Sequence, residues 1–392
     1  MKNSLITWSE SNLTAAKTRL TDPLLVPAYK SLIAAADQAL DCSSFSVTHK
    51  TTLPPSGDKH DYLSIAPYWW PNASKPDGLP YINRDGEFNP ASRDSSTDSI
   101  RFKEFTSTLE SLSLAYYFSD EQKYADKAVT LLNAWFLDAE TLMHPHLEYG
   151  QGIAGVTTGR GIGLIDTRNI TTIIDSIIIL DHVLTKEQRR GLDDWFEQFL
   201  HWLSTSKNGL EEKNQMNNHG TFYDSQVACI AIFLGKDDLA KDRIRDTLTS
   251  RLPEQFEADG RQPKELHRTR SFHYSSFNLT AYARVARYGH LLGVDLWHAD
   301  PNNTGSPMLK TAITWLASFI PKPESWAYPE LTGVHVLPLA MDGALPVFLQ
   351  ALLEFGKDQD LSTALGIAAK EVPESRDWLI WPVTEADLTT QA

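Results

Sequence analysis

Cysteine is scarce: 392 residues contain two, Cys42 and Cys229, far apart and at no metal or redox spacing. A disulfide framework is therefore excluded, and both read as small apolar packing groups. Positive charge is short too, with 36 lysines and arginines against 50 acidic residues and a formal net charge of -14. Phosphate binding needs a basic field, so nucleic acid is excluded as a main partner. An acidic polysaccharide meets some of the same repulsion, but screening limits distant charges to roughly 10 Å, and arginines grouped in a cleft override it locally. No stretch approaches the ~18 consecutive apolar residues of a membrane-spanning helix, and no membrane partner is expected. The opening "MKNSLITWSES" has one lysine and no apolar run after it, so no signal peptide is visible, and one already removed stays open. No repeat of fixed period appears, which argues against a regular solenoid.

What is present is helical periodicity. In "GLDDWFEQFLHWL", Leu192, Trp195, Phe196, Phe199, Leu200 and Leu203 recur at steps of three and four, a stripe that faces a core. Ala128, Leu131, Leu132, Trp135 and Phe136 repeat it, and the isoleucines of "RNITTIIDSIIILDHVL" suit a helix buried on more than one side. Helices joined by short polar turns, without a βαβ rhythm, predict an all-α chain of antiparallel helix hairpins, curved or closed into a ring. One domain over 1–392 is expected. The exception is Ser43 to Arg101, rich in proline, glycine, aspartate and serine but also holding Tyr62, Tyr68, Trp69, Trp70 and Tyr81. Those aromatics argue for an ordered loop, expected to cover the cleft, over a disordered one. Eleven tryptophans in all suit both buried cores and clefts that stack sugar rings.

Two stretches concentrate reactive groups. "NQMNNHGTFYDSQ" sets Asn217, Asn218 and His219 before an apolar helical run, with Tyr223 close behind. A helix cap explains one asparagine and leaves the other unexplained. "ELHRTRSFHYSSFN" packs His267, Arg268, Arg270, His273 and Tyr274 together, and guanidinium forks beside a tyrosine suit recognition of a carboxylate. In "TTGRGIGLIDTRNI" the glycine spacing is wrong for a dinucleotide loop, so Arg160, Arg168 and Asn169 read as cleft-wall residues and no nucleotide is expected. "HPHLEYGQG" offers His144, His146 and Glu148, but Pro145 separates the histidines and no H-E-x-x-H pattern is present, so no metal or other cofactor is expected.

Asparagine, histidine, arginine and tyrosine, with neither metal nor nucleotide, fit lytic cleavage of a uronic acid polymer. The proton at C5 lies beside a carboxylate whose charge opposes carbanion formation. Preorganised donors must neutralise that carboxylate, a base must take H5, and an acid must protonate the departing O4.

"NNHG" together with "RTRSFHYSSFN" resembles the alginate lyase superfamily of polysaccharide lyases, and "DYLSIAPYWWPN" through "GLPYINRDGEFNP" resembles the N-terminal aromatic loop of its alginate and glucuronan lyase branch. The resemblance runs from about Tyr62 to Tyr288 and implies an (α/α) toroid or incomplete α/α barrel. It further implies that Asn218 and His219 neutralise the substrate carboxylate, His219 alternatively acting as base. Arg268 would hold that carboxylate and stabilise the phenolate, and Tyr274 would give a proton to O4. Some members place the arginine one residue upstream, where His267 stands here, which leaves Arg268 and Arg270 both open. Substrate contacts would come from Asn217, Tyr62, Tyr68, Trp69, Trp70, Arg160, Arg168, Asn169, Tyr223, Arg270 and His273. Alginate is the first choice of substrate and glucuronan the second, and polymer breakdown implies a periplasmic or secreted bacterial enzyme.

Two rival classes remain open at this level. A toroidal glycoside hydrolase needs two carboxylates, for which Asp224, Glu265 and Glu330 are candidates. A non-catalytic carbohydrate-binding protein would use Trp69, Trp70, Trp326 and Tyr328 as stacking platforms.

Overall fold

The computed structural model describes residues 4–331 and 334–388, with only the backbone described at position 342. These residues are mostly helical, as expected, and they separate into two compact units. The first comprises Ala35–Gln215 and Ile230–Lys236; the second comprises Ser4–Ala34, Met216–Cys229 and the chain from Asp237 onward. Among the described residues no helix is long and apolar enough to cross a membrane.

In the first unit, helices Ser99–Ser119 and Gln122–Leu132 form a hairpin whose sharp turn places Asp120 in the left-handed region, φ 59°. A short polar side chain tolerates that conformation better than most. The hairpin buries Phe102 and Phe105 against Trp135, with the Phe105 and Trp135 rings stacked at 4.7 Å. Phe136 then meets Trp195 edge to face at 4.7 Å. All six residues of the Leu192 to Leu203 stripe are buried, on helix Lys186–Thr205, which starts with a reciprocal capping box between Thr185 and Gln188. Helix Ile170–Ile179 is buried around nearly its whole circumference, as the isoleucine run predicts.

The stretch from 43 to 101 is ordered. Leu63–Ile65 pairs in parallel with Tyr149–Gly152, and Trp69–Trp70 pairs antiparallel with Ile82–Asn83. One buried carboxylate ties it down. Asp98 accepts from the Leu63 backbone at 2.9 Å, pairs with Lys50 at 3.0 Å and with Arg101 at 2.9 Å, so the start, middle and end of the loop meet at one point. Lys50 also donates to the carbonyls of Val47 and Lys59. Burial lowers the Lys50 ammonium and raises the Asp98 carboxyl, the direction expected for charges taken out of water. Removing one partner strands the other. Lys50→Met is expected to cost about 3–5 kcal/mol of stability, read as a lower urea midpoint and faster proteolysis within the loop. A loss under about 1 kcal/mol, the worth of a surface ion pair, would mean that the loop is held by other contacts.

In the second unit, helix Ser271–Leu292 is central and is buried along most of its length. It packs against Leu337–Phe355, Asp237–Asp246 and Met308–Ala317. It stops where Gly293 turns left-handed at φ 74°, a conformation that costs glycine nothing. The first turn of this helix carries His273 and Tyr274, and the start of Asn218–Phe233 carries His219.

Candidate active site

Asn217 and Asn218 do different jobs. The Asn217 side-chain oxygen accepts from the His219 backbone N–H at 3.1 Å, an asparagine cap that sets the first turn of the helix. Asn218 is fully buried, and its backbone N–H and side-chain Nδ2 both donate to the Glu265 carboxylate, each at 2.7 Å. Beneath them lies an amide network. Gln255 Nε2 donates to the Asn217 carbonyl at 3.3 Å, and Asn278 Nδ2 donates to Gln255 and Gln262 at 2.8 Å each. Because those amides are buried and cross-linked, the asparagine–histidine turn is held on a stiff base.

Glu265 is 1% exposed. Burial raises its carboxyl above the ordinary range, while the two Asn218 donors and the nearby charges of Arg268 and His219 pull it back. Asn218 thus holds a carboxylate that also feels the charges of Arg268 and His219. Arg268 in turn lays its guanidinium over the Tyr274 ring, 3.8 Å from the centroid. Of the two arginines left open by the sequence, Arg268 is placed against the tyrosine ring. Arg270 pairs through its backbone with Glu330 and accepts from the Tyr274 N–H at the helix start. His273 lies 5.4 Å from Tyr274 and stacks on Phe277 at 5.6 Å, and Phe277 packs on Phe222 at 4.3 Å. Tyr223 is buried.

The raised carboxyl has a checkable consequence. The folded chain holds the Glu265 proton more tightly than the unfolded chain, so this group's contribution falls as pH rises from its ordinary value of 4.5 towards the raised one. The slope in that window is about 1.4 kcal/mol per pH unit. Glu265→Gln cannot ionise, so the Tm of the variant relative to the parent should climb with pH across the window. A Tm difference that stays flat would show that Glu265 titrates like an unfolded carboxyl.

The remaining candidates for substrate contact lie in the first unit. Tyr62 is fully buried and its hydroxyl donates to Asp166 at 3.1 Å, so its ring supports the floor of the loop and offers no face to a sugar. Tyr68, Trp69 and Trp70 are half-buried; Tyr68 lies 5.1 Å from Phe88, and Trp70 sits under the Arg84 guanidinium. Arg160 donates to Gln151 at 3.0 Å, and Gln151 donates to Asp166 at 2.9 Å. Arg168 lines a cavity of about 290 Å³ with Arg93, Lys103 and Asp166. Asn169 accepts from Thr172 at the start of its helix. Neither Gln151 nor Asp166 stands out in the sequence, because their meeting depends on the pairing of Leu63–Ile65 with Tyr149–Gly152.

The acids a hydrolase would need are occupied. Asp224 is fully buried among Arg251, Arg243 and Thr247. Glu330 accepts from the Phe272 backbone N–H at 2.8 Å, and Glu265 is held by Asn218. Trp326, a possible stacking platform, is instead buried against Phe272, Trp315 and Phe319.

The family model described as alginate lyase matches residues 46–326. Among solved structures, an alginate lyase from Bacteroides ovatus is 37% identical, with 98% of this chain and 100% of that chain covered and a TM-score of 0.89. Alginate lyase A1-III from Sphingomonas species A1 is 16% identical over 95% of this chain and 94% of that one, TM-score 0.59, a likeness of fold. A variant of A1-III complexed with a tetrasaccharide matches at TM-score 0.59 and 14% identity, covering 95% of each chain. No curated protein sequence matches closely enough to count as a relative. The expected fold class, an all-α toroid of helix hairpins, is the class these likenesses show. With more than half of its length under the family model and a solved relative alike along nearly the whole chain, this protein belongs to the alginate lyase family and is a polysaccharide lyase.

Proposed function

We propose that the enzyme cleaves a 1,4-linked polyuronate, alginate before glucuronan, by β-elimination. The observation that carries this reading is the Arg268 guanidinium lying 3.8 Å from the Tyr274 ring centroid, beside the Asn218–Glu265 pair that fixes the turn bearing His219. In this reading, Arg268 and His219 meet the uronate carboxylate and draw off its negative charge, so that H5 becomes acidic enough to remove. Asn218 and Glu265 form the floor that positions His219. A guanidinium over the ring stabilises negative charge on the phenol, which suits Tyr274 to deliver a proton to O4 and recover it afterwards.

Stereochemistry divides the substrates. In β-mannuronate and β-glucuronate, H5 and O4 lie on the same side of the ring, so Tyr274 serves as base and then acid. In α-guluronate they are opposed, and His219 takes H5 while Tyr274 protonates O4. The half-buried rings of Tyr68, Trp69 and Trp70 are assigned to sugar stacking. A polymeric substrate favours action in the periplasm or outside the cell.

The test is a panel of polymannuronate, polyguluronate, glucuronan and hyaluronan, followed by ultraviolet absorbance of the unsaturated product. Absorbance with alginate blocks supports the first choice, and absorbance with glucuronan alone supports the second. New reducing ends without absorbance would overturn elimination altogether.

A further inference from the structure

A second cluster of titratable groups lies in the first unit, and the elimination chemistry does not use it. Asp61, His144 and His146 present one ligand atom each within 4.8 Å of one another. His144 Nδ1 stands 2.8 Å from Asp61 Oδ1, and His146 Nε2 stands 3.1 Å from the same oxygen. The spacing of the sequence suggests Glu148 as the third member, but its carboxylate accepts from Trp202 Nε1 at 2.7 Å. Asp61 takes that place from 83 positions upstream of His144.

The imidazoles are held, not merely adjacent. The His146 N–H donates to the His144 carbonyl at 2.8 Å, a tight turn across Pro145 that brings both rings to one side. The His144 N–H donates to the His60 carbonyl at 3.0 Å, which ties this turn to the residue before Asp61. Ser56 donates to Asp61 Oδ2 at 2.7 Å, leaving Oδ1 to the two rings. Asp61 is buried, whereas the side chains of His144 and His146 are 39% and 24% exposed, so one side of the cluster opens to solvent.

These distances sit close to those of a metal site. Zinc bonds of about 2.0–2.1 Å in tetrahedral geometry separate neighbouring ligand atoms by about 3.3 Å; the two Asp61–histidine distances, 2.8 and 3.1 Å, need only a few tenths of an ångström of expansion, and the two imidazole nitrogens, within 4.8 Å of each other, settle to that spacing by rotation of the part-exposed rings. Two imidazoles and one carboxylate suit zinc and its first-row neighbours, with at least one position left for water. We infer that Asp61, His144 and His146 bind a divalent transition metal, zinc by preference. Binding through His146 Nε2 moves that ring's proton to Nδ1 and gives up its 3.4 Å contact with the Glu148 N–H. The metal would clasp the base of the aromatic loop: Asp61 precedes strand Leu63–Ile65, the two histidines precede Tyr149–Gly152, and these short strands pair with one another.

The experiment uses the full chain, stripped with a chelator and dialysed, then titrated with Zn²⁺ by calorimetry while bound metal is counted by mass spectrometry. One equivalent should bind and raise Tm. Affinity should fall on the order of 100-fold or more in both Asp61→Asn and His144→Ala, the second probing the more exposed ligand where the first disturbs folding. His298→Ala, at a surface histidine–aspartate pair in the other unit, should bind as the parent does. Co²⁺ in place of zinc should give a visible absorption band that both ligand variants lose. Absence of stoichiometric binding, or binding that survives both ligand variants, overturns the assignment.

Discussion

Tyr274→Phe should abolish turnover while leaving the polymer bound. The substitution removes only the hydroxyl, keeps the ring beneath the Arg268 guanidinium and leaves the helix start intact. Loss of the group that moves protons in both halves of the reaction is expected to lower kcat on the order of 10⁴-fold, seen as vanished ultraviolet absorbance on polymannuronate. Binding of the same polymer, measured by calorimetry, should change less than about threefold, worth about 0.65 kcal/mol. A non-catalytic carbohydrate binder would show no activity to lose. A variant that retains a tenth of the parent rate would remove Tyr274 from the chemistry.

Arg268→Ala has the next largest expected effect. Its guanidinium contributes both to substrate charge neutralisation and to the phenolate, and removing one such preorganised donor typically costs 10²–10³-fold in kcat. Arg268→Lys should recover little of this, because an ammonium cannot lie flat on a ring and fork a carboxylate together. Arg270→Ala is the comparison. Its backbone pairing with Glu330 survives the change, so kcat should stay within about tenfold of the parent even if KM rises. If the two alanine variants exchanged these outcomes, the arginine beside the tyrosine would not be the one that acts.

The helical stripes were readable because a period of three to four reports one buried face whatever the neighbours are; Trp195, Phe199 and Leu203 needed no partner to be recognised. The ordered loop was readable from its aromatics, but its fastening was not. Lys50, Asp98 and Arg101 are ordinary charged residues in sequence, and only burial around a shared carboxylate makes them a clamp. Tyr62 shows the opposite error: an aromatic in a loop invites a binding role, yet its hydroxyl points inward to Asp166.

Residue type and local spacing determined the reactive inventory: an asparagine–histidine turn at a helix start, and an arginine six positions before a tyrosine at another. These are short-range properties, set by capping and by helix periodicity within a few residues. Tertiary structure alone decided which carboxylate lies between them, since Glu265 is 47 positions from Asn218 and acquires its raised carboxyl only through burial. It also decided that Asp61 rather than Glu148 faces the two histidines. Contacts between distant segments depend on how helices and strands pack, and electrostatic environment depends on what that packing shuts away from water; neither quantity is local to the chain.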